Sequence, residues 1–227
     1  MLTLAAVAWL PFVAAEVGNS QQRGGGPQCF GSPATIVATN PEFTVRGTDG
    51  KDVIVVTQGS AMVDAMKGAD LICTADRRDE ISAGRGPDRV RSRGGNDAIG
   101  GRRGKDFLRA GSGRDEVSAG RQDDSVHGGG GKDDLHGDIG DDEVRGQDGE
   151  DISLSGGDGA DRLFGASGND DITGNQGDDD LRGQDGRDLL TGEAGNDRLD
   201  GGPGRDDCDG RSGVDTARAC ETEQGIP

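Results

Sequence analysis

The sequence predicts an all-β chain wound as a parallel β-roll, a β-solenoid with two nine-residue units per coil. Three observations predict it. From Gly156 to Gly210 the chain reads GGDGADRLF, GASGNDDIT, GNQGDDDLR, GQDGRDLLT, GEAGNDRLD, GGPGRDDCD without a gap, glycine at the first and fourth places and aspartate at the sixth. An aliphatic residue follows at the eighth place, as Leu163, Ile172, Leu181, Leu190 and Leu199. Finally, 44 glycines, no tyrosine and one tryptophan leave few bulky side chains, so a narrow core repeated along an axis is what this chain can fill. Low hydrophobicity and a net charge of −18 would by themselves suggest disorder. An aliphatic residue returning every nine positions argues instead for a folded state, one that needs its crowded turn charges neutralised.

Taken in order, residues 1–15 (MLTLAAVAWLPFVAA) form an apolar run too short to span a bilayer, ending in small residues. This reads as a secretory signal peptide cleaved near Ala15, although no Lys or Arg precedes the run. Residues 16–28, with Gly24-Gly25-Gly26-Pro27, read as a flexible linker. Residues 29–46 are expected to cap the solenoid, with strand character in Ala34–Thr39 and Phe43–Val45. The repeat runs over 47–218 in about nineteen units. It is degenerate early: Ala61 stands where aspartate belongs, Arg77 and Gln122 stand where glycine belongs, and Arg102 with Arg103 is expected to weaken its turn. One unit, GQDGEDISLS over Gly146–Ser155, is ten residues long, so a bulge is expected there with Leu154 pointing inward. Residues 219–227 cannot continue the pattern and are expected to form a C-terminal cap or tail.

The spacing carries chemistry. Glycines at the first, second and fourth places are expected to turn the backbone through positive φ and bring carbonyl oxygens inward. The sixth-place aspartate adds a short anionic oxygen, and hard cations such as calcium take six to eight carboxylate and carbonyl oxygens. With two units per coil, Asp161, Asp179 and Asp197 stack along one edge, and Asp170, Asp188 and Asp206 along the other. About nine coils at ~4.8 Å make a rod of roughly 45 Å. Each buried aliphatic contributes about 1.5–3 kcal/mol. Ordering its unit costs about 1–2 kcal/mol per residue, so ion binding is expected to be part of folding.

These motifs resemble the RTX, or haemolysin-type, calcium-binding repeat family over Gly47–Arg218, most specifically over Gly156–Asp209. The resemblance implies Ca²⁺ held between paired turns of a parallel β-roll. It carries that role onto Asp133, Asp142, Asp151, Asp161, Asp170, Asp179, Asp188, Asp197 and Asp206, and onto Asp88, Asp97, Asp106 and Asp115. Asp52, Asp70, Asp79, Asp124 and Asp215 sit in degenerate or terminal turns and are left outside that set. The ends, CFGSPATIV and CDGRSGVDTARACE, resemble those of secreted actinobacterial members, which implies an extracellular protein exported by an N-terminal signal.

Four cysteines in an exported chain suggest two disulfides. Of three possible pairings, Cys29–Cys73 and Cys208–Cys220 are favoured because each would staple a cap. His127 and His136 are expected on opposite sides of the roll, as surface residues rather than a zinc pair. The acidity argues against nucleic acid. No nucleophile elbow occurs, and the periodic carboxylates read as structural, so no enzyme activity is expected. The expected chain is a monomer, not inserted in a membrane once the signal is cleaved, with calcium ions as its partners. The alternative is a surface or matrix adhesion protein whose binding face calcium shapes, which an exposed aromatic patch or groove would favour.

Overall fold

The computed structural model describes residues 26–39 and 44–226. The expected signal peptide, most of the expected linker and Phe43 lie outside them. No helix occurs among the described residues, and none is long and apolar enough to cross a membrane.

Each unit bends through its Gly/Asp portion and extends through its last residues. Two bends and two strands return the chain to its starting point one step along the axis, so every strand pairs in parallel with the strand two units on. Two 11-stranded parallel sheets result. Sheet I runs from Ile36–Thr39 to Thr216–Arg218, and sheet II from Val45–Arg46 to Thr222–Gln224. Eighth-place residues lie in register along each sheet: Leu163, Leu181 and Leu199 in sheet I; Leu154, Ile172, Leu190 and Cys208 in sheet II. These side chains are fully buried between the sheets and form one continuous core. Fully burying each aliphatic contributes about 1.5–3 kcal/mol.

The ten-residue unit takes its extra residue as expected. Leu154 is buried while Ile152 is 41% exposed. The amides of Ile152 and Ser153 both point at the Asp133 carbonyl, at 2.9 and 3.4 Å, a local bulge that leaves the rest of the register intact.

The sheets outrun the repeat at both ends. Ile36–Thr39 pairs with Val53–Gln58, and Val45–Arg46 with Met62–Asp64, so these segments extend the sheets rather than only lying across their ends. A short antiparallel pair, Gln28–Cys29 with Ser32–Pro33, precedes them. Within residues 219–227, which do not carry the nine-residue pattern, Thr222–Gln224 adds to Asp207–Asp209 in sheet II. The Cys208–Cys220 disulfide holds this segment in place, and Cys29–Cys73 ties the first strands to the third coil.

Candidate metal centre

The turns use glycine for two different reasons. In the unit 183–191, the second and fourth places are left-handed, with φ 74° at Gln184 and 155° at Gly186. Gly186 also lies against the coil before it, since a methyl there would sit 1.5 Å from the Gly168 carbonyl oxygen. Gly183, at the first place, is not left-handed. A methyl on it would lie 2.2 Å from Asp188 Oδ2 and 2.7 Å from the Gly201 carbonyl oxygen. This corrects the expectation that all three glycines serve positive φ: the first is small so that oxygens can crowd beside it. The second place accepts other residues at positive φ, Arg102 among them at 81°, and Gly104 keeps the left-handed fourth place of that turn at 142°. Arg77 avoids the left-handed region, and its amide donates to the Ala75 carbonyl at 2.9 Å instead.

The sixth-place aspartates form two ladders, one along each edge. The backbone amide of each donates to Oδ1 of the aspartate one coil on: Asp170 to Asp188 at 2.9 Å and Asp179 to Asp197 at 3.0 Å. All thirteen aspartates expected as ligands lie buried on these ladders, and so do Asp52, Asp70, Asp79, Asp124 and Asp215. Ala61 donates its amide to Asp79 but offers no carboxylate, which interrupts one ladder near its start. Asp206, near the other end, donates its amide to Glu221. Glu221 thus stands in for the next aspartate. Sequence reading missed it because it sits outside the nine-residue phase; its only signal is a carboxylate beside the stapled Cys220.

Oδ2 is the informative atom. In every ladder aspartate from Asp70 to Asp215 it is buried and has no hydrogen-bond partner. Asp52 differs, its Oδ2 accepting from the Thr48 amide and hydroxyl. Burial, with repulsion from neighbouring carboxylates, pushes Asp124 up to about 8 and Asp133, Asp142, Asp170 and Asp179 up to about 7. Donation from the backbone amide partly offsets this. Burial likewise raises Asp106, Asp161 and Asp188 to about 6. A buried carboxylate with an orphaned oxygen is strongly disfavoured in its charged form unless a cation compensates it.

Among the described residues no three His, Cys, Asp or Glu side chains converge on one point. The donors at hand are therefore carboxylates one coil apart together with turn carbonyls such as Gly201, an all-oxygen set of the kind that suits calcium rather than zinc. The histidines lie on opposite sheets, as expected, but His127 is half-buried against Phe107, with ring centroids 5.2 Å apart.

A parallel solenoid of nine-residue units whose edges are ladders of buried, half-satisfied carboxylates belongs to the class of nonapeptide-repeat β-rolls. The family model of the RTX calcium-binding nonapeptide repeat (4 copies) matches residues 74–108, 100–135, 109–144, 127–152, 155–190 and 182–217, and the chain belongs to this family. Comparison with curated proteins finds no match.

Proposed function

We propose that this chain is an extracellular calcium-binding protein in which ion uptake and folding are one event. The observation that carries the reading is the unbroken series of buried, unpartnered Oδ2 atoms from Asp70 to Asp215. Asp133, Asp142, Asp151, Asp161, Asp170, Asp179, Asp188, Asp197 and Asp206 would hold the ions together with turn carbonyls, and Asp88, Asp97, Asp106 and Asp115 would extend the series. The cation would offset repulsion that the thin aliphatic core cannot overcome alone. Two disulfides fit an oxidising compartment, where calcium modules with affinities of about 10⁻⁴–10⁻³ M fill. No catalytic role is proposed, because the buried carboxylates face one another and the turn backbone rather than a substrate cleft.

Far-UV circular dichroism of residues 16–227, titrated with calcium and then chelator, tests this. The expected result is a reversible coil-to-β transition, with magnesium ineffective at the same concentration. A β spectrum indifferent to both additions would overturn the coupling of folding to calcium.

A further inference from the structure

The formal net charge of −18 equals the number of ladder aspartates, so the rest of the chain is balanced. That balance is not even along the axis. Apart from ladder aspartates, residues 65–121 carry thirteen Lys and Arg against three acids, while 122–209 carry seven against sixteen. Once its turns are neutralised, the roll is a rod with a basic N-terminal half and an acidic C-terminal half.

One edge concentrates this. Along the edge of Asp70, Asp88 and Asp106, successive turns stack Lys67 on Arg85, Arg85 on Arg103 and Arg103 on Arg121, with Arg102 and Lys105 beside them. All six are exposed. Beyond Arg121 the same rows continue through Asp138, Asp158 and Glu193, with Asp141 in the turn of Asp138 and Asp178 in the turn between those of Asp158 and Glu193, while Asp123 shares the Arg121 turn and pairs with Lys105 at 3.4 Å. The sign changes once, near the middle of eight turns. Such an edge is its own complement when reversed.

We infer that a second copy docks antiparallel along this edge, in a closed two-fold dimer that forms once calcium has neutralised the ladders. This departs from the monomer expected from sequence, and it rests on the calcium reading for that neutralisation. About a two-fold axis between the turns of Arg121 and Asp138, Lys67 faces Glu193 of the second copy, Arg85 faces Asp178, Arg103 faces Asp158, and Arg121 faces Asp141. The match holds over the whole edge because both copies share the strand spacing of ~4.8 Å. A two-fold contact is self-complementary and closes, so the association stops at two. Any one exposed pair contributes little, so recognition comes from the summed field and is screened by salt.

Sedimentation equilibrium of the chain in calcium at low salt is expected to give the dimer mass, falling to the monomer mass in high salt. Arg85→Glu with Arg103→Glu sets glutamate against Asp178 and Asp158 of the second copy, and Asp158→Lys with Asp178→Lys sets lysine against its Arg103 and Arg85. Each double variant alone is expected to dimerise on the order of a hundredfold more weakly. Mixed together they are expected to form a heterodimer, and the fourfold variant is expected to recover self-association. Circular dichroism in calcium checks that each is folded. A folded wild type that stays monomeric, or a dimer that ignores the reversals, overturns this inference alone. A monomer that binds poly-L-glutamate through Arg85 and Arg103 also overturns it, assigning the basic half to a foreign polyanion. A wild type that gains no β structure with calcium would overturn the calcium reading and this inference with it.

Discussion

The first and second halves of the roll follow the same backbone path but fill its edges differently. From Gly128 to Gly210 every unit opens on glycine. Before that, the opening residues include Val56, Ala65, Thr74, Ala83, Ser92, Ala110 and Ala119, all buried. The alanines and Val56 join the aliphatic core, and the Ser92 hydroxyl donates to the Ala110 carbonyl at 2.7 Å. In the second half oxygens crowd the same space, and a methyl at Gly165, Gly174 or Gly192 would lie 2.3 Å from the Oδ2 of its own turn. The first half therefore trades room around the carboxylate for apolar contact, and it is also tied by Cys29–Cys73. The second half keeps an oxygen-lined cradle with less core behind it. The period of the sequence sets the fold, and the residue at the first place sets how each turn is filled beside its carboxylate, with apolar carbon or with oxygen.

The largest expected effect is regional. On adding chelator, hydrogen exchange should accelerate first at the ladder amides of Asp161, Asp170, Asp179 and Asp188, while the strands around Ile72 and Val90 stay protected longer. Local opening follows the density of buried apolar contacts, which is higher in the first half. Uniform loss of protection along the chain would mean that the two halves form one cooperative unit and that the first-place residue does not matter.

A smaller effect follows from protons. Burial first, then like charge, raises the folded carboxylates, Asp88 and Asp170 to about 7 and Asp188 to about 6, from 3.8. The stability such groups contribute without metal is full below 3.8 and is lost as pH rises through about 6–8. In chelator, lowering pH from about 8 to about 5 should restore β structure in both halves and narrow the difference between them. In calcium the same change should raise the ion concentration needed for folding, because protons compete for the same oxygens. Chelated samples that lose β structure on acidification would contradict the burial argument.

The fold was legible because the period is visible residue by residue: Leu154 could be placed inside, and both cysteine pairings chosen, before any coordinates. The ladder positions were legible for the same reason. What the sequence hid was how each atom is used. Aspartate at the sixth place does not say that Oδ1 is already taken by a backbone amide and only Oδ2 is left over. Glycine at the first place looks identical to glycine at the fourth, though one answers to crowding by oxygens and the other to a left-handed backbone. Glu221 was invisible because the disulfide, not the period, brings it to the ladder.

Paired single substitutions at the first place give the smallest effect and the sharpest test of the comparison. Gly183→Ala inserts a methyl 2.2 Å from Asp188 Oδ2, so that oxygen must shift. The Asp170 amide can keep Oδ1, as the Asp70 amide keeps that of Asp88 at 2.8 Å beside Ala83, so the loss falls on the crowded Oδ2 and the Gly201 carbonyl, and the calcium midpoint for folding should rise. Ala83→Gly in the first half removes one buried methyl, about 0.8 kcal/mol, and adds backbone freedom of about 0.5–1 kcal/mol. It also opens the space beside Asp88. Stability without calcium should therefore fall modestly while the calcium midpoint holds or drops, the opposite sign to Gly183→Ala. Calcium titrations of both variants, followed by circular dichroism, read the two signs directly. If both midpoints rise together, glycine at the first place serves only chain flexibility, and the cradle is not what distinguishes the two halves.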